Sequence, residues 1–180
     1  MITRICVFCA SGEHIPEVYF KPAAGLGRLL AENKITLVYG GGKAGLMGTL
    51  ARAVHAGGGK IISVIPTLFR ERGWCNEDAD RIIQTHTMQE RKQIMEQEAR
   101  AFIALPGGTG TLDEILEILT ARQLGFHQKP LVLINTRGFF NPLIRFFNRL
   151  YRQGFMPERV DRYLSLAKDE RDAFKRILYG

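Results

Sequence analysis

The chain has 180 residues, 46% of them hydrophobic, and carries 25 Lys and Arg against 18 Asp and Glu for a net charge of +7. That is enough apolar chain for one globular domain with a substantial core, and no run approaches the roughly 20 apolar residues of a membrane span. The basic excess gathers in the last third (Arg137, Arg145, Arg149, Arg152, Arg159, Arg162) without an RNA-binding signature or basic–aromatic interleaving, so a solvated basic surface is expected rather than nucleic-acid binding, one that would also draw an anionic small molecule.

The opening MITRICVFCASG has a short apolar run followed by turn residues, so a secretory signal is not expected. Cys6, Cys9 and Cys75 are an odd and sparse set that suits a reducing cytoplasm. Cys6 and Cys9 form C-x-x-C inside a predicted strand, Arg4–Ala10, where a spacing of three puts them on opposite faces and argues against a redox pair. Helix-like patterning follows near 16–32, then a strand at Thr36–Tyr39, a glycine loop, and a helix near 44–56. Strands at Lys60–Ile65 and Arg81–Gln84 precede a helix over 88–99, and a strand at Ala101–Leu105 leads through a second glycine loop into a helix over 111–124. A strand at Pro130–Asn135 comes next, then helices near 141–153 and 168–178. Asn141-Pro142 is an N-cap followed by proline at the first helical position, a strong start signal. This alternation predicts an α/β fold, a Rossmann-like doubly wound parallel sheet with helices on both faces, in a single domain over 1–180. The four histidines are scattered without ligand spacing, so neither a metal nor a cofactor is expected. In such a sheet, ligands sit beyond the C-terminal strand ends.

Both glycine loops lie at those ends. VYGGGKAGLMG (Val38–Gly48) follows the second strand and LPGGTGTLDEI (Leu105–Ile115) the fifth. Glycine lets backbone approach a ligand closely, and amides at a helix start favour an anion. Neither loop is a Walker A motif, since position 37 is leucine where Lys43 would need glycine, and the first strand lacks a dinucleotide fingerprint. Two such loops in one small domain point to a phosphate-bearing ligand. Thr111-Leu112-Asp113-Glu114 fits a capping box, so Glu114 reads equally as a cap or as a catalytic acid. Thr87-Met88-Gln89-Glu90 fits the same box just before Arg91 and Lys92. Cations in a first helical turn oppose the helix dipole, a hint of another task for Arg91.

The chain resembles the LOG (Lonely guy) family of cytokinin riboside 5′-monophosphate phosphoribohydrolases, often mislabelled lysine decarboxylases. The family's P-G-G-x-G-T-x-x-E is matched at Pro106, Gly107, Gly108, Gly110, Thr111 and Glu114, and its R-K pair at Arg91-Lys92. VYGGGKAGLMG, GGGKIISVIP (Gly57–Pro66), QLGFHQKP (Gln123–Pro130) and the opening ICVFCAS follow the pattern too, so the likeness runs from about residue 4 to 156. Departures are Gly12 for a serine, Gln89 for a histidine, Arg100 for an acid, and Thr109 and Ala121 where aromatics are common. These bear on the shape of the base pocket, which a missing aromatic could widen.

The resemblance implies hydrolysis of the N-glycosidic bond of a nucleoside 5′-monophosphate to free base and ribose 5-phosphate. It implies Arg91 and Glu114 as the catalytic pair, with Asp113 in reserve, and the phosphate on Gly107, Gly108, Thr109, Gly110 and Thr111. Ser11, Gly41, Gly42, Met47 and Lys92 complete the expected binding set. A homodimer is expected from the wide apolar spread of helix 111–124 and the aromatic load of 139–155, with Arg91 a candidate to reach the partner's pocket. The rival expectation is a non-enzymatic carrier of a phosphorylated ligand such as molybdenum cofactor, whose carrier proteins this fold also resembles. Lysine decarboxylation would need a pyridoxal-binding lysine with its supporting acid and phosphate site, and nothing in the chain reads that way.

Overall fold

The structure, a computed structural model, describes residues 2–179. Seven strands form one all-parallel sheet: β1 (Arg4–Phe8), β2 (Thr36–Tyr39), β3 (Ile61–Pro66), β4 (Arg81–Thr85), β5 (Ala101–Ala104), β6 (Leu131–Ile134) and β7 (Ser165–Ala167). The spatial order is β4-β3-β2-β1-β5-β6-β7. The chain therefore walks outward from β1 to β4, then returns to the other side of β1. That reversal opens a crevice between the C-terminal ends of β1 and β5, where a doubly wound sheet binds its ligand. The predicted fold class is the observed one.

The helices are α1 (Phe20–Glu32), α2 (Gly45–Ala56), the short α3 (Thr67–Glu71), α4 (Met88–Glu98), α5 (Thr109–Gln123), α6 (Asn141–Arg152) and α7 (Glu170–Tyr179). The central strands are buried on both faces, hence their unbroken apolar runs. Two cores result. One packs Leu26 and Leu30 of α1, Leu50 and Val54 of α2, and Phe174 of α7 against Ile5, Val7 and Leu37. The other packs Met95, Ile115, Ile118, Leu119 and Phe147 against Cys6, Val38, Val64 and Phe102. Cys6 and Cys9 fall in different cores, as their spacing predicted, and all three thiols are free.

Three features were not legible. β7 has only three residues, too few for an alternating pattern. α3 is a five-residue turn of helix. α5 begins at Thr109, two residues earlier than expected, which changes the reading of its acids.

Gly27 of α1 lies where α1 and α2 touch: a Cβ there would fall 2.7 Å from both the Ala53 methyl and the Leu50 carbonyl oxygen. Gly27→Ala is expected to destabilise the fold by about 1–3 kcal/mol through overpacking. Thermal melting checks this, at about 2–4 °C of Tm per kcal/mol for a chain of this size.

Candidate active site

A cavity of about 740 Å³ opens over the C-terminal ends of β1, β2, β3 and β5. Glu114 and Arg91 both line it, though each is about 95% buried. Arg91 Nη1 donates to Glu114 Oε1 at 2.8 Å, and its Nε donates to the Val64 carbonyl at 3.1 Å. The guanidinium is thus anchored to the end of β3 while it grips an acid on α5. α4, which carries Arg91, is otherwise polar and fully buries only Arg91 and Met95. Its first turn is capped as predicted: Glu90 N–H donates to Thr87 Oγ1 at 3.1 Å. The return bond falls one residue early, from His86 N–H to the Glu90 carboxylate at 2.7 Å.

The second capping box does not form. Gly108 is the N-cap of α5, so Thr111 and Glu114 both lie inside the helix, and Glu114 turns inward to Arg91. Burial pushes the Glu114 carboxyl above the ordinary carboxylate range, while the adjacent Arg91 pulls the other way. A raised folded-state pKa means that the native protein holds this proton to higher pH than the unfolded chain does. Stability from this group is therefore present at low pH and lost as pH climbs past the ordinary carboxylate value. Burial and a charged partner acting in opposite directions on one carboxyl are common at reacting centres.

The two glycine loops turn out to differ. At α2, the amides of Leu46 and Met47 both donate to the Ala10 carbonyl, at 3.0 and 3.2 Å. Gly45, at φ +57°, lies against the Gly12 carbonyl with no room for a Cβ. That helix start is committed to holding the β1 loop. At α5, no side chain caps the helix, no acid sits in its first turn, and the first intrahelical bond is Leu112 N–H to Gly108 oxygen. The amides of Thr109, Gly110 and Thr111 thus form the first turn of α5 on the cavity wall with no intrahelical acceptor, Thr109 and Gly110 exposed and Thr111 buried. A dipole end with free donors suits an anion. Gly107 is required behind them, since a Cβ would overlap the Thr111 hydroxyl.

Of the expected residues, Ser11, Gly42, Met47, Arg91, Gly108, Thr109, Gly110, Thr111 and Glu114 all line the cavity. Gly41, at φ +76°, and Gly107 shape the loops behind it. Lys92 is not brought to the cavity: its ammonium pairs with Asp113 Oδ2 at 3.0 Å and Glu117 Oε2 at 2.5 Å on the outer side of α5. The reserve acid Asp113 is engaged there with Lys92 and does not line the cavity. Ala121 lies on α5 about two turns beyond Glu114 and does not line the cavity, so its small size does not widen it. Residues missed were Gly40, Lys43, Phe69 and Trp74, all on the cavity wall. Gly40 was the first glycine of its run, and Trp74 the single tryptophan, set among turn residues.

Residues 47–177 match the family described as "Possible lysine decarboxylase". The chain is 40% identical over 174 residues to the cytokinin riboside 5′-monophosphate phosphoribohydrolase LOG7 of Arabidopsis thaliana, covering 97% of this chain and 80% of that protein. It is 43% identical to LOG of Oryza sativa subsp. japonica, covering 97% and 72% of the two chains. The chain belongs to the LOG family. Among solved structures, the molybdenum cofactor carrier protein of Chlamydomonas reinhardtii superposes with a TM-score of 0.75 at 23% identity over 100% of both chains. The molybdenum cofactor binding protein of Rippkaea orientalis gives 0.72 at 21% identity, over 98% and 96% of the chains. At those identities the two share the fold with this LOG-family chain, and nothing further follows from them.

Gly40 completes the site, because a Cβ there would overlap Arg91 Nη2. Gly40→Ala is expected to destabilise by about 1–3 kcal/mol, and by much less in an Arg91→Ala background, where the overlap is gone. Urea unfolding of both single variants and the double variant measures the coupling. Additivity within about 0.5 kcal/mol would show that Gly40 does not serve to clear the guanidinium.

Proposed function

We propose that this chain hydrolyses the N-glycosidic bond of a nucleoside 5′-monophosphate, a cytokinin riboside 5′-monophosphate or AMP, releasing free base and ribose 5-phosphate. The observation that carries the reading is the buried Arg91–Glu114 pair on the cavity wall beside an uncapped helix start. Cleavage builds positive charge on C1′ and the ring oxygen of the ribose, and a carboxylate beside the sugar stabilises that charge more than the neutral ground state. As the C1′–N bond breaks, its electron pair leaves with the base. Water adds to C1′, giving one proton to Glu114 and keeping the other as the new hydroxyl, and the released base takes up the proton. Arg91 fixes the carboxylate in place and offsets its repulsion from the phosphate. The phosphate rests on the amides of Thr109, Gly110 and Thr111. The names of the relatives support the same reaction class.

Chromatographic assay of base released from AMP and isopentenyl-AMP tests this reading. Glu114→Gln, which keeps the size and the hydrogen bond to Arg91, is expected to lower kcat by about 10²–10³-fold. AMP is expected to exceed adenosine in kcat/KM by orders of magnitude, because each charge-assisted hydrogen bond to phosphate contributes about 1.5–3 kcal/mol. Equal kcat/KM for the two would assign the α5 loop another purpose, and no base release would favour a carrier.

We also infer a homodimer and a cytoplasmic location. No helix among the described residues is long and apolar enough to cross a membrane, and all three cysteines are free and buried. Phe126 and Phe155 are 79% and 75% exposed, with Leu116, Leu124 and Phe146 also open on α5, α6 and the loop between. Self-association would cover these side chains. Arg91 is buried against its own chain's Glu114, so the expectation that it reaches a partner's pocket is withdrawn. Sedimentation equilibrium is expected to give twice the 20.3 kDa chain mass or a multiple of it. A fully active monomer would overturn the dimer.

A further inference from the structure

We infer that Trp74, backed by Phe69, is the surface on which the nucleobase stacks, and that it sets specificity for the base. This rests on the hydrolase reading above and deepens it. The cavity runs along the sheet in the order of its strands. The phosphate loop belongs to β5, Ser11 and Gly12 to β1, Gly40 and Gly42 to β2, and Phe69 and Trp74 to the turn after β3. Three inter-strand steps separate the ends, roughly 14 Å, which suits the extended length of a mononucleotide. Arg91 reaches between the two ends, from the Val64 carbonyl to Glu114. A phosphate at the α5 amides and a ribose over Glu114 therefore leave the base at the β3 end. The apolar side chains waiting there are Ile65, Phe69, Trp74 and Met88, with Lys43 the one charged residue of the lining beside them. Such a wall recognises a planar ring by stacking and apolar contact rather than by side-chain hydrogen bonds to its edge.

Trp74 is 50% exposed, yet the turn that carries it is firmly fixed. Gly73 turns the chain at φ +70°, and Trp74 N–H donates to the Phe69 carbonyl at 3.0 Å. Lys43 N–H donates to the Trp74 carbonyl at 3.0 Å, and Asn76 N–H to the Gly41 carbonyl at 2.8 Å, pinning the turn to the first glycine loop. Arg70 and Glu77 clasp across the same turn, with Nη2 and Oε2 2.8 Å apart. The indole packs on Phe69 at 5.2 Å between ring centroids, and the Arg72 guanidinium lies 5.3 Å from its centroid. An aromatic ring so firmly positioned, and still open to a cavity, is preorganised for a flat ligand. It also restores an aromatic surface to a site in which Thr109 stands on the wall.

Trp74 is the only tryptophan in the chain, so its fluorescence reports directly on this contact. The protein carrying Glu114→Gln, which retains the nucleotide uncleaved, is titrated with AMP, adenine and ribose 5-phosphate, with saturation established by calorimetry. AMP and adenine are expected to change the emission, and ribose 5-phosphate to leave it unchanged. In the otherwise unmodified protein, Trp74→Ala is expected to raise KM for AMP by about 10- to 100-fold, the weight of one base–aromatic stack. Its kcat should change far less, and Trp74→Phe should recover most of the loss. Emission that stays constant at calorimetric saturation with AMP overturns the proposal. So does an equal response to ribose 5-phosphate, or an unchanged KM in Trp74→Ala. The fluorescence result stands even where Trp74→Ala fails to fold. Base release by the unmodified protein separates the two readings: turnover with silent Trp74 refutes the stacking alone, and absence of turnover refutes the hydrolase.

Discussion

Much of this structure is arranged around one ion pair that its surroundings disfavour. Arg91 and Glu114 have been taken out of water, and removing either partner alone would leave an uncompensated charge at a cost of about 3–5 kcal/mol. Four elements contribute to holding the pair. α4 supplies the arginine, the end of β3 offers the Val64 carbonyl, α5 supplies the acid, and the β2 loop yields a glycine so that the guanidinium fits. Hydrophobic burial makes the sheet, but this pair fixes how the loops close above it.

The physical consequence is a carboxylate that cannot wander. A surface glutamate samples many rotamers and is screened by solvent; Glu114 is about 95% buried and held by Arg91. Electrostatic stabilisation of a developing cation depends on such fixed geometry, because no reorganisation is then needed at the moment of reaction. Lys92, one residue along α4 from Arg91, shows the contrast. Its ammonium faces outward to Asp113 and Glu117 and braces α4 against α5, so the adjacent cations serve different ends.

The strands other than β7 were legible chiefly because burial writes itself as apolar runs, and the helices other than α3 because glycine, proline and capping residues mark their ends. The register of α5 was not. Thr111-x-x-Glu114 has the spacing of a cap, and only the Gly108 start of the helix moves Glu114 from its rim to its interior. Nor could local sequence tell the two glycine loops apart. The amides of one are bonded to the Ala10 carbonyl, an acceptor some 35 residues upstream in the chain, so the difference is tertiary. Arg91 gave a faint local signal through its unfavourable place in a first turn. Trp74 gave none beyond its rarity, because its position depends on a bridge between Gly42 and Cys75.

The order of the strands also divides the cavity's inheritance. The uncapped start of α5 and Glu114 lie downstream of the chain's return to β1, whereas the cavity wall at the opposite end comes from the turn after β3, upstream of it. Substitutions, insertions or deletions between Thr67 and Asp80 can therefore remodel what the cavity admits while the reacting groups stay in register. A lineage built on this sheet can exchange its choice of ligand one turn at a time, with its chemistry held constant in another stretch of the chain.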